Sequence, residues 1–243
     1  MSAQVYLVSP SQLVEGVSVV ELTGDEAHHA IKVKRTSVGE VIELCDGQGV
    51  RVSGTVSTVT KSTLTLNVTT WSTEVKPKLS LTVAQALAKG DRADLALEIL
   101  TEVGVDAIVP WRAKYSIAKW DDPQKGKAKW QTTVTQASKQ ARRSWIPVIH
   151  DVVDPGQLAT FATQFDLAIV LHESAVKSLA SISLPETGSI LLIVGPEGGV
   201  APEELEMFSA IEQVKMGNTV MRTSTAGAIA AGAILSKIRW IQE

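Results

Sequence analysis

A glycine-rich turn follows an apolar strand in the last quarter of the chain. Ser189–Val194 is rich in apolar and β-branched residues and predicts a buried strand, and Gly195–Gly199 (GPEGG) follows it directly. Glycines allow backbone N–H groups to approach a ligand closely, because no Cβ stands in the way. The turn lacks the Gly-Lys-Ser/Thr of a P-loop and the spacing of the dinucleotide fingerprint. It therefore predicts either a ligand-binding loop of another kind or a tight structural turn.

The helix expected after this turn begins near Pro202 and opens with Glu203 and Glu204. Carboxylates in a first helical turn occupy the favourable position beside the helix dipole that a phosphate would take. The turn therefore favours a ligand that is poor in phosphate. A cationic or zwitterionic adenosine compound such as S-adenosylmethionine meets that condition.

A second candidate loop lies at 216–222 (MGNTVMR), and Arg222 is the only basic residue between Lys215 and Lys237. If the two loops leave neighbouring strands, Arg222 lies beside the glycine turn. Its planar guanidinium could then stabilise negative charge on a bound group. The alternative is an ordinary surface or salt-bridge arginine.

The helix expected from about Thr223 carries small residues four positions apart, Gly227 with Ala231 and Ala228 with Gly232. Small residues at this spacing allow another backbone to approach closely. The pattern predicts either a dimer face or tight packing within one domain.

The charge of the chain is unevenly distributed, although the net charge is only −3. Residues 111–150 hold nine basic and two acidic residues, a local net charge of +7, and include Arg142 and Arg143. They also hold four of the six tryptophans, namely Trp111, Trp120, Trp130 and Trp145. Basic residues with interleaved aromatics are typical of grooves that bind single-stranded nucleic acid. The alternative is a solvated basic helix, expected over Pro123–Ser144, whose tryptophans pack inward.

The first 75 residues predict a small β-barrel, because apolar and polar residues alternate in short runs between turns. The expected strands are Val17–Leu22, Val38–Leu44, Val50–Val59 and Leu64–Val68.

One helix is expected to interrupt this barrel, since Thr23–Glu26 has the spacing of a capping box. On that helix His28, Lys32 and Arg35 fall at i, i+4 and i+7 and form a basic stripe. The stripe is either a surface that faces RNA or an ordinary solvated helix face.

The domain boundary is expected within Trp71–Lys78, where proline and polar residues break the strand pattern, giving domains of 1–74 and 75–243. Beyond it, apolar runs alternate with helical patterns. The expected strands are Leu79–Leu87, Val105–Pro110, Ile146–Val153, Leu167–Leu171, Ser189–Val194 and a short one at Val214, and the further helices are Asp91–Val103, Leu158–Phe165 and Pro202–Ile211. This alternation predicts a parallel sheet covered by helices, with ligands at the carboxyl ends of its strands.

Composition excludes several classes of protein. Hydrophobic residues make up 44% of the 243 residues, which is typical of a globular chain and excludes wholesale disorder. The single cysteine, Cys45, excludes an internal disulfide and a cysteine-based zinc cluster. Because no apolar run is long enough to span a bilayer, we expect a soluble, cytoplasmic protein without a membrane partner.

At the two loops the sequence resembles a known family. Gly195–Gly199, followed by Met216–Gly217 and Val220–Thr223, is similar to the paired cofactor loops of the RsmE family, SPOUT-class methyltransferases that modify N3 of a uridine in 16S ribosomal RNA. The motifs that match elsewhere along the chain are His29 with Val33–Arg35, Lys89–Arg92 with Thr101–Val105, and Gln140 with Arg143 and Pro147. Several motifs in one order are more specific than any one of them.

The resemblance implies a PUA-like β-barrel in the first domain, a trefoil-knotted α/β catalytic domain and a homodimer. It implies S-adenosylmethionine as the cofactor and 16S ribosomal RNA or the small ribosomal subunit as the partner. We expect Arg222 to be the catalytic residue, and we expect no metal. The implied cofactor-binding residues are Leu171, Gly195, Glu197, Gly199, Met216, Gly217, Val220 and Met221. The RNA-binding residues, expected from the matching motifs and the two basic segments, are His28, His29, Lys32, Arg35, Arg142 and Arg143.

The chain also departs from the family pattern. Lys34 and Met221 stand where leucine is usual, and Ser224 stands where glutamate is frequent. The amino-terminus lacks the arginine often found before the first strand. A catalytic role of that glutamate in other members does not carry over to this chain.

The leading hypothesis is an S-adenosylmethionine-dependent uridine N3-methyltransferase of ribosomal RNA, in which Arg222 stabilises charge on the uracil carbonyl oxygens as the N3 proton leaves. Glu197 and water are both open as acceptors of that proton. The alternatives are a SPOUT methyltransferase acting on another RNA position and a non-catalytic RNA-binding module in which the glycine loop is only a turn.

Overall fold

The computed structural model describes residues 3–240, which form two compact units. The first unit comprises the chain up to Lys76 together with Ser138–Ile146, and the second comprises Pro77–Ala137 and the chain from Pro147 onward. The division therefore does not fall at a single point in the sequence, because a later segment returns to the first unit.

The first unit is built around a five-stranded sheet. Its strands are β1 (Gln4–Leu7), β2 (Val19–Leu22), β3 (Val41–Cys45), β4 (Val50–Val59) and β5 (Leu64–Thr73). They lie in the order β1-β3-β4-β5-β2, with β1 parallel to β3 and the other pairs antiparallel. Residues such as Leu44, Val52 and Leu66 form one buried core with Tyr6. The β-rich first unit agrees with the sequence pattern, which missed β1 and ended β5 five residues too early.

A short helix, α1 (Gly24–His28), follows β2, but the expected capping box is wrong. The side chain of Thr23 makes no capping hydrogen bond. The Glu26 carboxylate instead accepts a hydrogen bond from the Leu7 backbone N–H at 3.2 Å and pairs with Lys139 at 2.6 Å. Lys139 is charged and its side chain is only 8% exposed, so its ion pair with Glu26 is stronger than the hydrogen bond that Glu26 would make in a capping box.

The segment Ser138–Ile146 is held within the first unit by specific polar contacts. A guanidinium nitrogen of Arg51 donates to the carbonyl oxygen of Arg142 at 2.6 Å. The indole N–H of Trp145 donates to the carbonyl oxygen of Glu74 at 2.8 Å. These bonds join positions 91 and 71 residues apart in the chain, so no local pattern could have predicted them.

The second unit contains a seven-stranded, wholly parallel sheet. Its strands are β6 (Leu79–Ala86), β7 (Ala107–Trp111), β8 (Val148–Ile149), β9 (Leu167–Leu171), β10 (Lys177–Ser178), β11 (Gly188–Val194) and β12 (Glu212–Lys215). They lie in the order β10-β12-β9-β11-β6-β7-β8. The central strands β6 and β11 are buried along most of their length, as strands covered on both faces must be, although only β11 is a nearly continuous apolar run. The predicted parallel α/β sheet is confirmed.

Five further helices accompany this sheet. They are α2 (Asp91–Val103), α3 (Pro123–Gln140), α4 (Pro155–Ala162), α5 (Pro202–Met207) and α6 (Thr223–Ile238). The bounds of α2 match the prediction, and Gly104 ends the helix in a left-handed conformation with φ of 111°.

Several elements of the second unit differ from the prediction. Helix α4 begins and ends three residues earlier than the expected Leu158–Phe165, α5 ends at Met207 rather than Ile211, and the short strand β10 was not predicted. The helix expected up to Ser144 stops at Gln140, because Arg142 takes a left-handed backbone with φ of 54° that a helix cannot continue through. The strand expected over Ile146–Val153 is reduced to β8, at the sheet edge. Within residues 3–240, no helix is both long and apolar enough to cross a membrane.

Candidate active site

Three strands of the second unit end around one cavity of about 680 Å³. The cavity is lined by Leu171–Glu173 after β9, by residues 194–200 after β11 and by residues 214–223 around the end of β12. In the sheet β9 lies between β11 and β12, so the two candidate loops do not leave neighbouring strands as the sequence argument required. They converge nevertheless, at the carboxyl edge of a parallel sheet, where such folds bind ligands.

The cavity brings together every residue predicted for the cofactor and for catalysis. They are Leu171, Gly195, Glu197, Gly199, Met216, Gly217, Val220, Met221 and Arg222. Polar side chains that were not predicted as site residues also line this space, namely Arg92, His172, Glu173, Lys215, Asn218, Thr219 and Thr223. Because His172 and Glu173 directly follow β9, their position at a carboxyl strand end was a signal available in the sequence.

The glycines of the two loops differ in what surrounds the position that a Cβ atom would occupy. A Cβ on Gly198 would lie 2.8 Å from the Cβ of Tyr115, and one on Gly195 would lie 2.8 Å from a methyl group of Val200. These two glycines allow the loop to pack against its neighbours. Gly199, with φ of 78°, and Gly217 would instead direct a Cβ into open space. The empty space at these last two positions leaves room for a ligand to approach the backbone.

The carboxylates at the start of α5 are engaged within the protein. Glu204 is 2% exposed, and its two oxygens accept hydrogen bonds from the backbone N–H groups of Lys114 at 2.7 Å and Ala201 at 2.9 Å. Glu203 forms an ion pair with the Lys114 side chain. The hydrogen bond between the Lys114 and Glu203 side chains raises the pKa of Lys114 and lowers the pKa of Glu203. Neither carboxylate lines the cavity, and both already satisfy partners near the helix start.

A hydrogen bond ties the first loop to the helix that follows the second loop. The hydroxyl of Thr223, the first residue of α6, donates to the carbonyl oxygen of Gly195 at 2.6 Å. The carbonyl of the preceding residue, Val194, accepts a 3.0 Å bond from the indole N–H of the buried Trp111. The backbone of the first loop is therefore anchored at its start from two sides.

Arg222 is an exposed cation at the cavity whose guanidinium has no hydrogen bond or ion pair with any residue of 3–240. It is the N-cap residue of α6, with an extended backbone. The other arginine of the cavity, Arg92, pairs with Glu197 at 3.4 Å. Arg222 is thus available to an anionic ligand, whereas Arg92 already has a carboxylate partner.

The basic residues near α1 are solvent-exposed, although not as one helical stripe. The helix changes after α1 into a π-helical turn over His29–Val33, which alters the angular spacing of side chains. Arg35 lies beyond the turn in a left-handed conformation with φ of 58°. His28, Lys32 and Arg35 are exposed, whereas His29 is half-buried with its ring 6.4 Å from that of Tyr6.

The two arginines after α3 are partly engaged in the first unit. The Arg142 guanidinium donates to the carbonyl oxygen of Ala3 at 2.9 Å, although the residue as a whole is exposed. Arg143 is half-buried, and its carbonyl oxygen accepts a long contact of 3.8 Å from the Cys45 thiol.

The tryptophans of the basic segment do not form an exposed stacking surface. Trp111 and Trp130 are buried, and Trp120 packs edge-on against Trp130 with ring centroids 5.1 Å apart. Trp145 is half-buried beneath the Lys76 ammonium, which lies 4.5 Å from its ring. For these side chains the structure supports inward packing, the alternative to a single-strand groove.

The part of the chain covered by residues 3–240 holds no group of three or more histidine, cysteine or acidic side chains placed to bind a metal ion.

Comparison with known proteins shows which family this chain resembles. Residues 75–235 match the model of an RNA methyltransferase domain, and residues 22–69 match an RNA methyltransferase PUA domain. The chain is 37% identical to the ribosomal RNA small subunit methyltransferase E of Mycobacterium tuberculosis over 96% of its own length and 92% of that protein. It is 30% identical to the protein of the same name from Bacillus subtilis, with 92% of each chain covered.

Solved structures agree with this fold. A crystal structure of a hypothetical protein matches with a TM-score of 0.87 and 28% identity, covering 98% of this chain and 100% of the other. The ribosomal RNA small subunit methyltransferase E of Neisseria gonorrhoeae, crystallised with S-adenosylmethionine, matches with a TM-score of 0.86 at 24% identity, covering 98% of each chain. With a PUA-like first unit, a parallel α/β second unit and two converging loops at its carboxyl edge, this chain belongs to the RsmE family of ribosomal RNA small subunit methyltransferases.

Proposed function

We propose that this protein transfers a methyl group from S-adenosylmethionine to N3 of a uridine in 16S ribosomal RNA. The observation that carries the proposal is the cavity at the ends of β9, β11 and β12, where two glycine-containing loops meet an unpaired Arg222. Membership of the RsmE family gives the reaction class, and the geometry indicates which residues of this chain carry it out.

The residues of the cavity fit this cofactor. Gly199 and Gly217 leave open space next to the backbone, which an adenosine compound could occupy. Glu173 lines the cavity as an exposed carboxylate without an ion pair among residues 3–240, which suits a cationic ligand, whereas the charge of Glu197 is balanced by Arg92. When bound, S-adenosylmethionine supplies a methyl group already activated by its positively charged sulfur. We assign the binding of this group to the cofactor residues predicted from the sequence, all of which line the cavity.

Arg222 has the chemistry needed for the harder part of the reaction. Loss of the N3 proton places negative charge on the two carbonyl oxygens that flank N3 of uracil. A guanidinium presents a planar fork of donors, and those of Arg222 are not already engaged by residues 3–240. Stabilisation of charge that develops only in the transition state lowers the barrier rather than merely strengthening binding. Arg222 is therefore the catalytic residue in this proposal.

The first unit is assigned to RNA binding. His28, Lys32 and Arg35 form an exposed basic group around the π-helical turn, and Arg142 is a further exposed cation of the same unit. Cations of this kind attract the phosphate backbone and fix the position of the RNA without reading its sequence. We assign His29 and Arg143, which are half-buried, to the same surface.

The proposal includes a homodimer that acts in the cytoplasm on ribosomal RNA or on the small ribosomal subunit. Helix α6 offers exposed side chains such as Ile229 and Lys237 to a second copy, while Gly227 packs inside the unit with a would-be Cβ 3.0 Å from Val194. The inward position of Gly227 favours packing within the domain for that glycine, so the dimer surface is assigned to the exposed face of α6.

Mapping the methylated nucleotide tests the proposed reaction. Unmodified small ribosomal subunits and naked 16S ribosomal RNA are incubated separately with the protein and S-adenosylmethionine, and the RNA is digested and examined by mass spectrometry. We expect one additional methyl group on N3 of a uridine. A methyl group at another position would favour the alternative SPOUT activity. No methylation together with undetectable S-adenosylmethionine binding in calorimetry would favour the RNA-binding module.

A further inference from the structure

An amide side chain with an unpaired oxygen lies in the centre of the second unit. Gln85 is on β6, between β7 and β11, and is only 1% exposed. Its side-chain oxygen, Oε1, has no hydrogen-bond partner. A buried polar atom without a partner costs stability, because its hydrogen bonds to water are lost and not replaced. An apolar residue of similar volume would avoid this cost.

The other end of the same amide makes a hydrogen bond that explains the presence of glutamine. Nε2 of Gln85 donates to the hydroxyl oxygen of Thr223 at 3.1 Å, and that hydroxyl donates to the Gly195 carbonyl at 2.6 Å. A hydroxyl has one proton to donate, and the carbonyl can only accept it. Thr223 must therefore accept from the amide nitrogen, which fixes the amide orientation and leaves Oε1 without a partner.

This relay links the centre of the sheet to both loops of the cavity. Gly195 begins the first loop, directly after β11. Thr223 begins α6 and directly follows Arg222, which ends the second loop. Gln85 and Thr223 are both buried, so solvent does not compete for these bonds, and successive hydrogen bonds strengthen one another.

We propose that Gln85 and Thr223 are positioning residues, which hold the two loops and Arg222 in the arrangement needed to bind the methyl donor and transfer the methyl group. The inference rests on the proposed methyltransferase function. Gln85 does not line the cavity, and Thr223, which does, has its hydroxyl engaged by Gln85 and Gly195. Both residues therefore act through the backbone of Gly195 and the start of α6.

A glutamine-to-methionine substitution separates positioning from stability. Gln85→Met keeps an unbranched chain of similar volume but removes both the unpaired oxygen and the amide nitrogen, which donates to Thr223 and, at a longer 3.4 Å, to the Ala86 carbonyl oxygen. We expect its melting temperature to equal or exceed that of the wild type. We expect its affinity for S-adenosylmethionine, measured by calorimetry, and its single-turnover methylation rate each to fall about 10-fold, the effect of losing one buried hydrogen bond. Wild-type affinity and rate in a folded Gln85→Met protein would overturn the proposal.

A second set of variants tests the hydroxyl itself. Thr223→Val keeps the shape and removes the hydroxyl, whereas Thr223→Ser keeps the hydroxyl. Thr101→Val is the matched control, because it removes a buried threonine hydroxyl that donates at 2.7 Å to Leu97 within α2, away from the cavity. We expect Thr223→Val to bind S-adenosylmethionine at least about 10-fold more weakly than the wild type, and Thr223→Ser to recover most of that affinity. Thr101→Val should lower the stability of the protein without changing its affinity for S-adenosylmethionine. The relay would be contradicted if Thr101→Val or Thr223→Ser lost as much affinity for S-adenosylmethionine as Thr223→Val.

Hydrogen exchange provides a readout that requires neither cofactor nor RNA. Amide exchange followed by mass spectrometry should be faster in Thr223→Val than in the wild type for peptides covering 195–201 and 216–223, and unchanged there in Thr101→Val. Unchanged exchange in Thr223→Val would overturn the relay even if the wild type is an active methyltransferase. If the wild type binds no S-adenosylmethionine, the proposed function fails, and the exchange result still decides whether the relay orders the loops.

Discussion

The thiol of Cys45 lies 3.6 Å from the carbonyl oxygen of Ser144, to which it donates, although the two residues are 99 positions apart in the chain. Both residues belong to the first unit, and Cys45 is fully buried. Burial raises the pKa of the Cys45 thiol. The only cysteine of the chain is therefore held as a protonated, shielded thiol beneath the returning segment Ser138–Ile146.

We expect Cys45 to resist alkylation in the native protein. The thiolate is the reactive form of cysteine. The raised pKa lowers the fraction of thiolate, and burial limits the access of the reagent to the sulfur. Alkylation by iodoacetamide, followed by mass spectrometry, should be roughly 100-fold slower than in urea-unfolded protein, because it requires local opening. Ser62→Cys in a Cys45→Ala background places a thiol at an exposed turn and serves as the reactive control. Native alkylation of Cys45 as fast as this control would contradict the shielding.

The same segment shows where sequence reasoning reaches its limit. The pattern of 111–150 correctly predicted a long helix, but its end depends on the left-handed Arg142 and on bonds from Arg51 and Cys45, which come from the first unit. Such long-range partners leave no periodic signal. By contrast, the strand ending at Val194 was predicted within one residue, because a strand buried on both faces needs an apolar run.

Some residues of the candidate site could be identified from the sequence, and others could not. The glycines and Arg222 were identified because short motifs carry them, and the cavity contains them all. Gln85 and Thr223 were missed as a pair, because their link to Gly195 depends on three segments that only the folded sheet brings together. A glutamine in an apolar strand was the one available signal.

The stability of the second unit should depend on the protonation of His150. Burial, together with the nearby charge of Lys127, lowers the pKa of His150, whose ring lies 5.5 Å from that of Phe161. Between this lowered pKa and the unfolded value of about 6.5, the unfolded chain binds more protons than the folded one. The free energy of unfolding should therefore fall as the pH is lowered through that range.

Urea unfolding at a series of pH values between 7.5 and 5 checks this dependence. His150→Asn should flatten the decline, because no group at this position then takes up a proton. Lys127→Gln should also reduce it, since removing the neighbouring positive charge allows the pKa of His150 to rise towards its usual value. An equally steep decline in His150→Asn would assign the pH dependence to other groups.

Methyl-donor binding should be sensitive to a side chain at Gly217. The backbone of Gly217 is not left-handed, and a Cβ there meets no protein atom within 4 Å, so Gly217→Val should fold normally. The new side chain would occupy the cavity, and calorimetry should detect no S-adenosylmethionine binding. Gly199→Val is a less clean test, because φ of 78° strains any residue with a Cβ.

The control for this test is Gly156→Val. Gly156 is exposed at the start of α4, outside the cavity, and its would-be Cβ lies 3.5 Å from a carboxylate oxygen of Asp154, an ordinary contact. It should retain wild-type affinity. Unchanged affinity in a folded Gly217→Val protein would remove Gly217 from the cofactor site.

Binding of RNA should lose salt dependence when exposed cations of the first unit are removed. Each lost phosphate contact lowers the slope of log K against log salt by about 0.7 for single-stranded RNA. We expect Lys32→Ala and Arg35→Ala each to reduce the slope by about that amount, with a smaller effect for Arg142→Ala because its guanidinium also holds the Ala3 carbonyl. Lys61→Ala removes an exposed cation from the turn between β4 and β5 and is the control. Filter binding over a salt series measures the slopes, and equal slopes in all four variants would place the RNA elsewhere.

Arg222 should contribute to the rate of methyl transfer more than to the binding of the methyl donor. If its guanidinium stabilises charge that develops on the uracil, Arg222→Ala should lower the single-turnover rate by about 10²–10³ and change S-adenosylmethionine affinity little. Arg222→Lys should recover only part of the rate, since an ammonium keeps the charge but loses the planar fork. Lys215→Ala is the matched control, because Lys215 is a further cation that lines the cavity.

The pH dependence of the Arg222→Ala rate distinguishes charge stabilisation from positioning of the RNA. Raising the pH deprotonates more of the uracil before the reaction, so the defect of Arg222→Ala should become smaller as the pH rises. A positioning role would give a defect that is constant with pH and that saturating RNA largely removes. Single-turnover rates at several pH values, each at saturating S-adenosylmethionine and at two RNA concentrations, separate these outcomes. A pH-independent defect removed by excess RNA would show that another group stabilises the developing charge.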